Sequence, residues 1–246
     1  ILAEIAVVET GLGNVEDKIR KNHNKTLGLM RDLKDVKSFG HVGDDPVTGL
    51  SSYLRPKGVI AAIVPSTNPL ATPVNNIINA LKTGNAIILA PSPKGVRPLT
   101  IMLADIQKAL GRLGLPDNLV QMVPAPPLRT KTERLMKLAD LIVVTGSQNN
   151  VRAGYASGTP AIGVGAGNVV TIVDETADVA SAAEKIAASK TFDNATSCSS
   201  ENSIIAVDTV YAEVVAALAR VGGLLLNSTQ VERLEKLHWN DRKMMS

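Results

Sequence analysis

The sequence predicts an α/β fold, a doubly wound parallel sheet with helices on both of its faces. Two observations predict it. Short apolar runs alternate with helical patterns along most of the chain, the order expected of strand–helix–strand units. The composition agrees: hydrophobic residues are 45% of the 246 and aromatics only 2%, so the core must be built from Ala, Val, Ile and Leu, a mixture that suits strands buried between helices.

The elements follow in chain order. Ile1 to Thr10 reads as the end of a helix, stopped by Gly11-Leu12-Gly13-Asn14. That glycine pair is not a dinucleotide fingerprint, because position 16 is Glu and no strand precedes it. Val15 to about Val36 is helical again, with Lys18, Arg20, Lys21 and Lys25 on a face expected to be solvated. Phe39 to Arg55, punctuated by Gly40, Gly43, Pro46 and Gly49, reads as a hairpin. The alternation then begins. It runs through strand Val59 to Val64, helix Leu70 to Lys82, strand Ala86 to Leu89 and helix Val96 to Leu113. It continues with strand Leu119 to Val123, helix Lys131 to Leu138, strand Leu141 to Val144 and helix Gln148 to Ser157. Ala161 to Asn168 alternates small residues, a packing or active-site feature that lets another group approach the backbone. Val169 to Val173 is a strand, and Asp174-Glu175-Thr176 caps a helix from Ala177 to Lys190. Strand Ser203 to Val207, a helix from Val210 or Tyr211 to Val221, and a helical piece from Ser228 to Leu237 complete the series.

The chemistry centres on Cys198, the single cysteine, in the loop Thr191 to Glu201. A thiol on a polar, small-residue loop can ionise and attack an electrophilic carbon. The alternative, a small hydrophobe filling a core gap, is opposed by the neighbours Thr196, Ser197, Ser199 and Ser200. One cysteine excludes an internal disulfide and fits a reducing compartment, so the cytoplasm is expected. Nothing has metal-ligand spacing, and His23, His41 and His238 are read as structural or surface residues. Ligands on doubly wound sheets bind at the strands' carboxyl ends. Thr145-Gly146-Ser147 follows one such end and opens a helix, so it is a phosphate site or a plain helix cap. Lys94, after another strand end, meets a cofactor phosphate or is an ordinary surface lysine.

Other classes are poorly supported. The net charge of +3 comes from scattered, interleaved residues, and with so few aromatics for stacking no nucleic-acid partner is expected. Gly58 to Leu81 lacks charge, but Pro65, Pro69 and its asparagines argue against a membrane span, and no membrane partner is expected. The chain starts at Ile1, and Glu4 breaks the first apolar run, so this is not a signal peptide; further residues are expected upstream.

Six segments in order resemble the CoA-acylating aldehyde dehydrogenases, with wording similar to the aldehyde dehydrogenase half of bifunctional aldehyde-alcohol dehydrogenases and to the ethanolamine, propanediol and sulfoacetaldehyde pathway enzymes. They are Pro65-Ser66-Thr67-Asn68-Pro69, Gly84 to Pro91, Val144 to Ser147, Ala161 to Asn168, Val173 to Asp178, and Thr191 to Cys198. The resemblance implies a Rossmann-like NAD(P)-binding domain over residues 1–173, with an oligomerisation hairpin near 39–55, and a partial α/β catalytic domain over 174–246. It implies a homo-oligomer that acts on a small aldehyde or acyl-CoA, with NAD or NADP as cofactor and coenzyme A as co-substrate. By motif, Cys198 is the nucleophile, and its backbone N–H with the side chain of Asn68 or Thr67 holds the oxyanion. Pro65 and Ser66 line the nicotinamide side, Thr145, Gly146 and Ser147 meet the pyrophosphate, and Pro91, Ser92, Lys94 and Gly165 complete the cofactor set.

Two departures bear on the chemistry. Hydrolytic relatives carry a glutamate where Val164 stands, and a ribose-contacting lysine where Ala90 stands. The first favours thiol transfer over hydrolysis; the second leaves NAD and NADP both open, with Lys94 or Arg97 as the charge for a 2′-phosphate. Family members also continue well past His238, which implies a chain cut short. A catalytically silent nucleotide-binding or scaffolding fragment, and a hydrolytic aldehyde dehydrogenase, are the alternatives.

Overall fold

A computed structural model describes residues 1–164 and 167–238. The chain divides into two compact units: Ile1–Gly167 with Asp193–Cys198, and Asn168–Phe192 with the residues from Ser199 onward.

The first unit opens with helices α1 (Leu2–Thr10) and α2 (Val15–Leu33). Gly11 ends α1 in the left-handed conformation, φ 68°, and its N–H bonds to the Val7 carbonyl, as a glycine C-cap should. Asn14 caps α2 by accepting the Asp17 N–H at 2.9 Å. The expected hairpin is present as antiparallel strands β1 (Gly40–Asp45) and β2 (Leu50–Leu54).

Among the described residues the main sheet has five parallel strands: β3 (Val59–Val64), β4 (Ala86–Pro91), β5 (Val120–Met122), β6 (Leu141–Thr145) and β7 (Ala161–Val164). Their spatial order is β5-β4-β3-β6-β7. Side chains alternate across β3 and so feed two cores. Ile60, Ala62 and Val64 pack with Ile77 and Ala80 of α3 (Ala71–Lys82) and with Leu99 and Leu103 of α4 (Val96–Arg112). Ala61 and Ile63 face Met136 of α5 (Arg129–Leu138) and Val151 of α6 (Gln148–Tyr155). The fully buried Ile87, Leu89, Leu99 and Ile142 each contribute about 1.5–3 kcal/mol of transfer free energy. The chain winds outward through β4 and β5, then returns to the other side of β3 for β6 and β7, which makes the β3/β6 junction the switch point where such sheets bind ligands.

Strand β7 lies in the small-residue stretch that the sequence marks as a packing or active-site feature. It pairs with β6 from Ile142↔Ala161 to Thr145↔Val164. Glycine hides it: a Cβ on Gly163 would sit 2.8 Å from Val151 and 2.9 Å from Tyr155, so α6 can lie on the strand only if position 163 has no side chain.

The second unit is a smaller α/β layer. Strand β8 (Val169–Val173) pairs in parallel with β9 (Glu201–Ala206), and Val173 packs with residues of α7 (Val179–Thr191) and α8 (Asp208–Arg220). Helix α9 (Ser228–His238) follows. Strand β8 pairs with β9, and the boundary between the two compact units falls after residue 167. The helix cap differs from expectation. Asp178, not Asp174-Glu175-Thr176, caps α7 by accepting the Ser181 N–H at 3.0 Å, while Asp174 closes its own turn onto Thr176.

Candidate functional site

The loop bearing Cys198 turns through three non-glycine residues in the left-handed region: Asp193 (φ 52°), Asn194 (φ 53°) and Ala195 (φ 59°). An L-residue there costs about 1–2 kcal/mol, least for Asp and Asn. The turn is held from α2. The Asp193 carboxylate, 0% exposed, accepts the Asn14 N–H at 3.1 Å and the Lys18 ammonium at 3.2 Å, and the Lys21 ammonium sits on the same oxygen as Lys18. The Asp193 N–H donates to Asp17 Oδ2 at 2.8 Å, and Asn194 Nδ2 donates to the Gly13 carbonyl at 3.2 Å. A Cβ on Gly13 would meet Asp193 Oδ1 at 1.8 Å, so this glycine is required by the carboxylate above it.

The lysine-bearing face of α2 is therefore not simply solvated. Lys18 and Lys21 are 2% and 4% exposed, which a lysine tolerates only when paired. Burial pushes the Lys18 ammonium below its ordinary pKa of 10.5, the Lys21 charge pushes the same way, and Asp193 opposes both.

Cys198 itself is exposed, on a cavity of about 730 Å³. The cavity lies along the carboxyl edge of the main sheet. The loop after β3 contributes Pro65, Ser66, Thr67 and Asn68; the end of β4 contributes Ala90, Pro91 and Ser92. The turn after β6 contributes Thr145, Gly146 and Ser147, and β7 ends in the wall at Val164. Ser147 Oγ accepts the Asn150 N–H at 3.3 Å, so its hydroxyl caps α6. Ser92 Oγ is buried and, among the described residues, has no hydrogen-bond partner, which leaves it available to a ligand. The only carboxylate in the wall among the described residues is Glu133, engaged by Arg129 Nε at 2.7 Å.

The cavity thus gathers Cys198, Asn68, Thr67, Pro65, Ser66, Pro91, Ser92, Thr145, Gly146 and Ser147 from separate stretches of the chain. Lys94 is not in the wall: its Nζ donates to the Thr10 carbonyl at 3.3 Å. Arg97 is paired with Glu9 at 2.9 Å. Gly165 lies outside the described residues. Sequence reasoning missed Lys25, Arg129 and Glu133 as wall residues; for Lys25 the signal was its spacing of four from Lys21, which continues the same helix face. Among the described residues no three His, Cys, Asp or Glu side chains gather as metal ligands, and no helix is long and apolar enough to cross a membrane.

Residues 16–222 match the model of the aldehyde dehydrogenase family. The chain is 58% identical over 243 residues to an acylating sulfoacetaldehyde dehydrogenase of Cupriavidus necator, covering 99% of this chain and 49% of that protein. Among solved structures it is similar to an acetylating aldehyde dehydrogenase from Geobacillus thermoglucosidasius, with TM-score 0.91 and 35% identity, covering 99% of this chain and 54% of that one. It is also similar to a propionaldehyde dehydrogenase from Rhodopseudomonas palustris with bound CoA and an acylated cysteine, with TM-score 0.83 and 33% identity, covering 98% and 55%. The chain spans about half the length of the curated relatives it matches.

Proposed function

Since the chain belongs to the aldehyde dehydrogenase family, we propose that it carries the cofactor-binding and nucleophile-bearing part of a CoA-acylating aldehyde dehydrogenase. One observation carries this reading: Cys198 opens on the same cavity as Pro65–Asn68 and Thr145–Ser147, at the switch point of the sheet.

In this reading the Cys198 thiolate attacks the carbonyl carbon of a small aldehyde and forms a thiohemiacetal. The Cys198 N–H with the side chain of Asn68 or Thr67 stabilises the oxyanion. NAD or NADP, held by Pro65, Ser66 and the Thr145–Ser147 turn, would supply the acceptor for the hydride on the thiohemiacetal carbon. The product is a thioester on Cys198. The thiol of coenzyme A then displaces Cys198 and carries the acyl group away, and every step is reversible. The cavity fits a dinucleotide in two respects: Ser92 Oγ lacks a partner among the described residues, and the first turn of α6, with Asn149 and Asn150 in the wall, borders it. Pro65 and Ser66 would flank the nicotinamide, Thr145, Gly146 and Ser147 the pyrophosphate.

Thiol transfer is favoured over hydrolysis because Val164 stands in the wall and Glu133 is tied to Arg129, so no described wall residue is a free carboxylate to activate water. We assign residues 1–167 with 193–198 to the cofactor side and the second unit to part of a catalytic domain. We propose that the exposed hairpin β1–β2 joins copies of the protein. The location is cytoplasmic in this reading, supported by the lone thiol. The C. necator relative's name makes a short aldehyde bearing a sulfonate the first substrate to offer.

The test is reduction of NAD or NADP by a panel of short aldehydes with and without CoA. CoA-dependent turnover should fall by a factor on the order of 10⁴ in Cys198→Ala. Free acid formed at full rate without CoA would establish the hydrolytic enzyme instead. Cofactor binding without turnover of any aldehyde would leave a silent nucleotide-binding fragment.

A further inference from the structure

Lys18, Lys21 and Lys25 follow one another on α2 at spacings of three and four, which sets them on one helix face. The first two ammonium groups are spent on Asp193, five residues before Cys198 in the same loop. Lys25 comes one turn, about 5.4 Å, further along that face. It is half-buried, and it lines the cavity on which Cys198 opens. The other cation of the wall, Arg129, is neutralised by Glu133 at 2.7 Å. Among the described residues lining the cavity, Lys25 is the one cation with no carboxylate partner, and no second carboxylate in the wall offsets it. The cavity therefore carries an uncompensated positive charge, next to the helix segment that holds the nucleophile loop.

We propose that Lys25 determines substrate specificity: its ammonium receives the anionic end, a sulfonate or carboxylate, of a short aldehyde whose carbonyl carbon lies at Cys198. The inference rests on Cys198 being the nucleophile of the proposed reaction. It deepens that reading by selecting anionic aldehydes over neutral ones. A sulfonate or carboxylate paired to an ammonium in a half-buried wall makes a charge-assisted hydrogen bond. A neutral aldehyde of the same length makes no such bond.

The test needs no turnover. The Cys198 thiolate displaces bromide from 2-bromoethanesulfonate: a C–S bond forms, a C–Br bond breaks, bromide leaves and the thiol proton goes to buffer. In this reagent the sulfonate stands two carbons from sulfur, as it does in an attacked sulfoacetaldehyde. Its rate is compared with that of neutral 2-bromoethanol, each normalised to free N-acetylcysteine, in the wild-type protein, Lys25→Gln and Lys25→Arg. The sulfonate-to-neutral ratio should fall by about tenfold in Lys25→Gln and be retained in Lys25→Arg. In the unaltered protein ethanesulfonate should protect Cys198 from iodoacetamide, and ethyl methyl sulfone should not, so the proposal stays open to refutation even if a variant fails to fold.

An unchanged ratio in Lys25→Gln, or equal protection by the two sulfur compounds, overturns the proposal. So does an unchanged ratio accompanied by weaker binding of CoA or NADP, which would assign Lys25 to a phosphate. If no aldehyde is turned over while the sulfonate preference holds, the proposed reaction fails and the anion subsite stands. CoA-dependent turnover with no sulfonate preference gives the converse.

Discussion

At Asp193 a carboxylate with no solvent access faces two lysine ammoniums and two backbone N–H groups of the same neighbourhood are tied to its loop or to Asp17. Two cations share one anion in the interior, so removing the anion leaves both uncompensated. Asp193→Asn keeps the shape and removes the charge, and should cost about 3–5 kcal/mol of unfolding free energy, read from urea midpoints. A second change, Lys21→Met in the Asp193→Asn background, should recover part of that loss; no recovery would mean the lysines are not what the aspartate holds. Cys198 and the polar loop around it were legible as residues. Asp193 was not, because its partner Lys18 lies 175 positions away and only the fold brings them together.

Helix α2 acts as the platform for that loop through its first turn. Asn14 and Asp17 cap each other, with Asn14 Nδ2 donating to Asp17 Oδ2 at 2.7 Å, and the same Asp17 oxygen accepts the Asp193 N–H. The Asn14 amide first, and then the Asp193 N–H, hold the Asp17 carboxyl below its ordinary 3.8. A depressed carboxyl contributes stability that is complete above 3.8 and is lost as pH falls through the folded value. The excess stability of the wild type over Asp17→Asn should therefore be flat above pH 3.8 and shrink only below it. Urea midpoints measured across acid pH check this, and a gap that closes near neutrality would contradict it. Helix α2, the hairpin and strands β3, β4 and β6 were legible from periodicity and turn residues. Strand β7 was not, because Gly163 answers to the side chains of Val151 and Tyr155 and not to strand propensity.

For the whole molecule, hairpin β1–β2 exposes Val42, Leu50, Tyr53 and Leu54 on strands whose residues are nearly all solvent-facing, and Val47 in the turn between them. If it joins copies, as proposed, Leu50→Asp with Tyr53→Asp should lower the molar mass measured by light scattering by about half or more while the melting temperature stays close to that of the wild type. An unchanged mass removes the hairpin from the interface. By itself the sequence determined the α/β class, the order of strands and helices, the lone thiol on a polar loop and the motifs of the aldehyde dehydrogenase family. These are local properties, written in periodicity, turn residues and short words of sequence. Only the tertiary structure decided that β8 leaves the main sheet, that Lys18 and Lys21 are interior while Lys25 faces the cavity, and that Lys94 turns to Thr10. Spacing shows which side chains share a helix face, but what that face meets depends on contacts between distant segments.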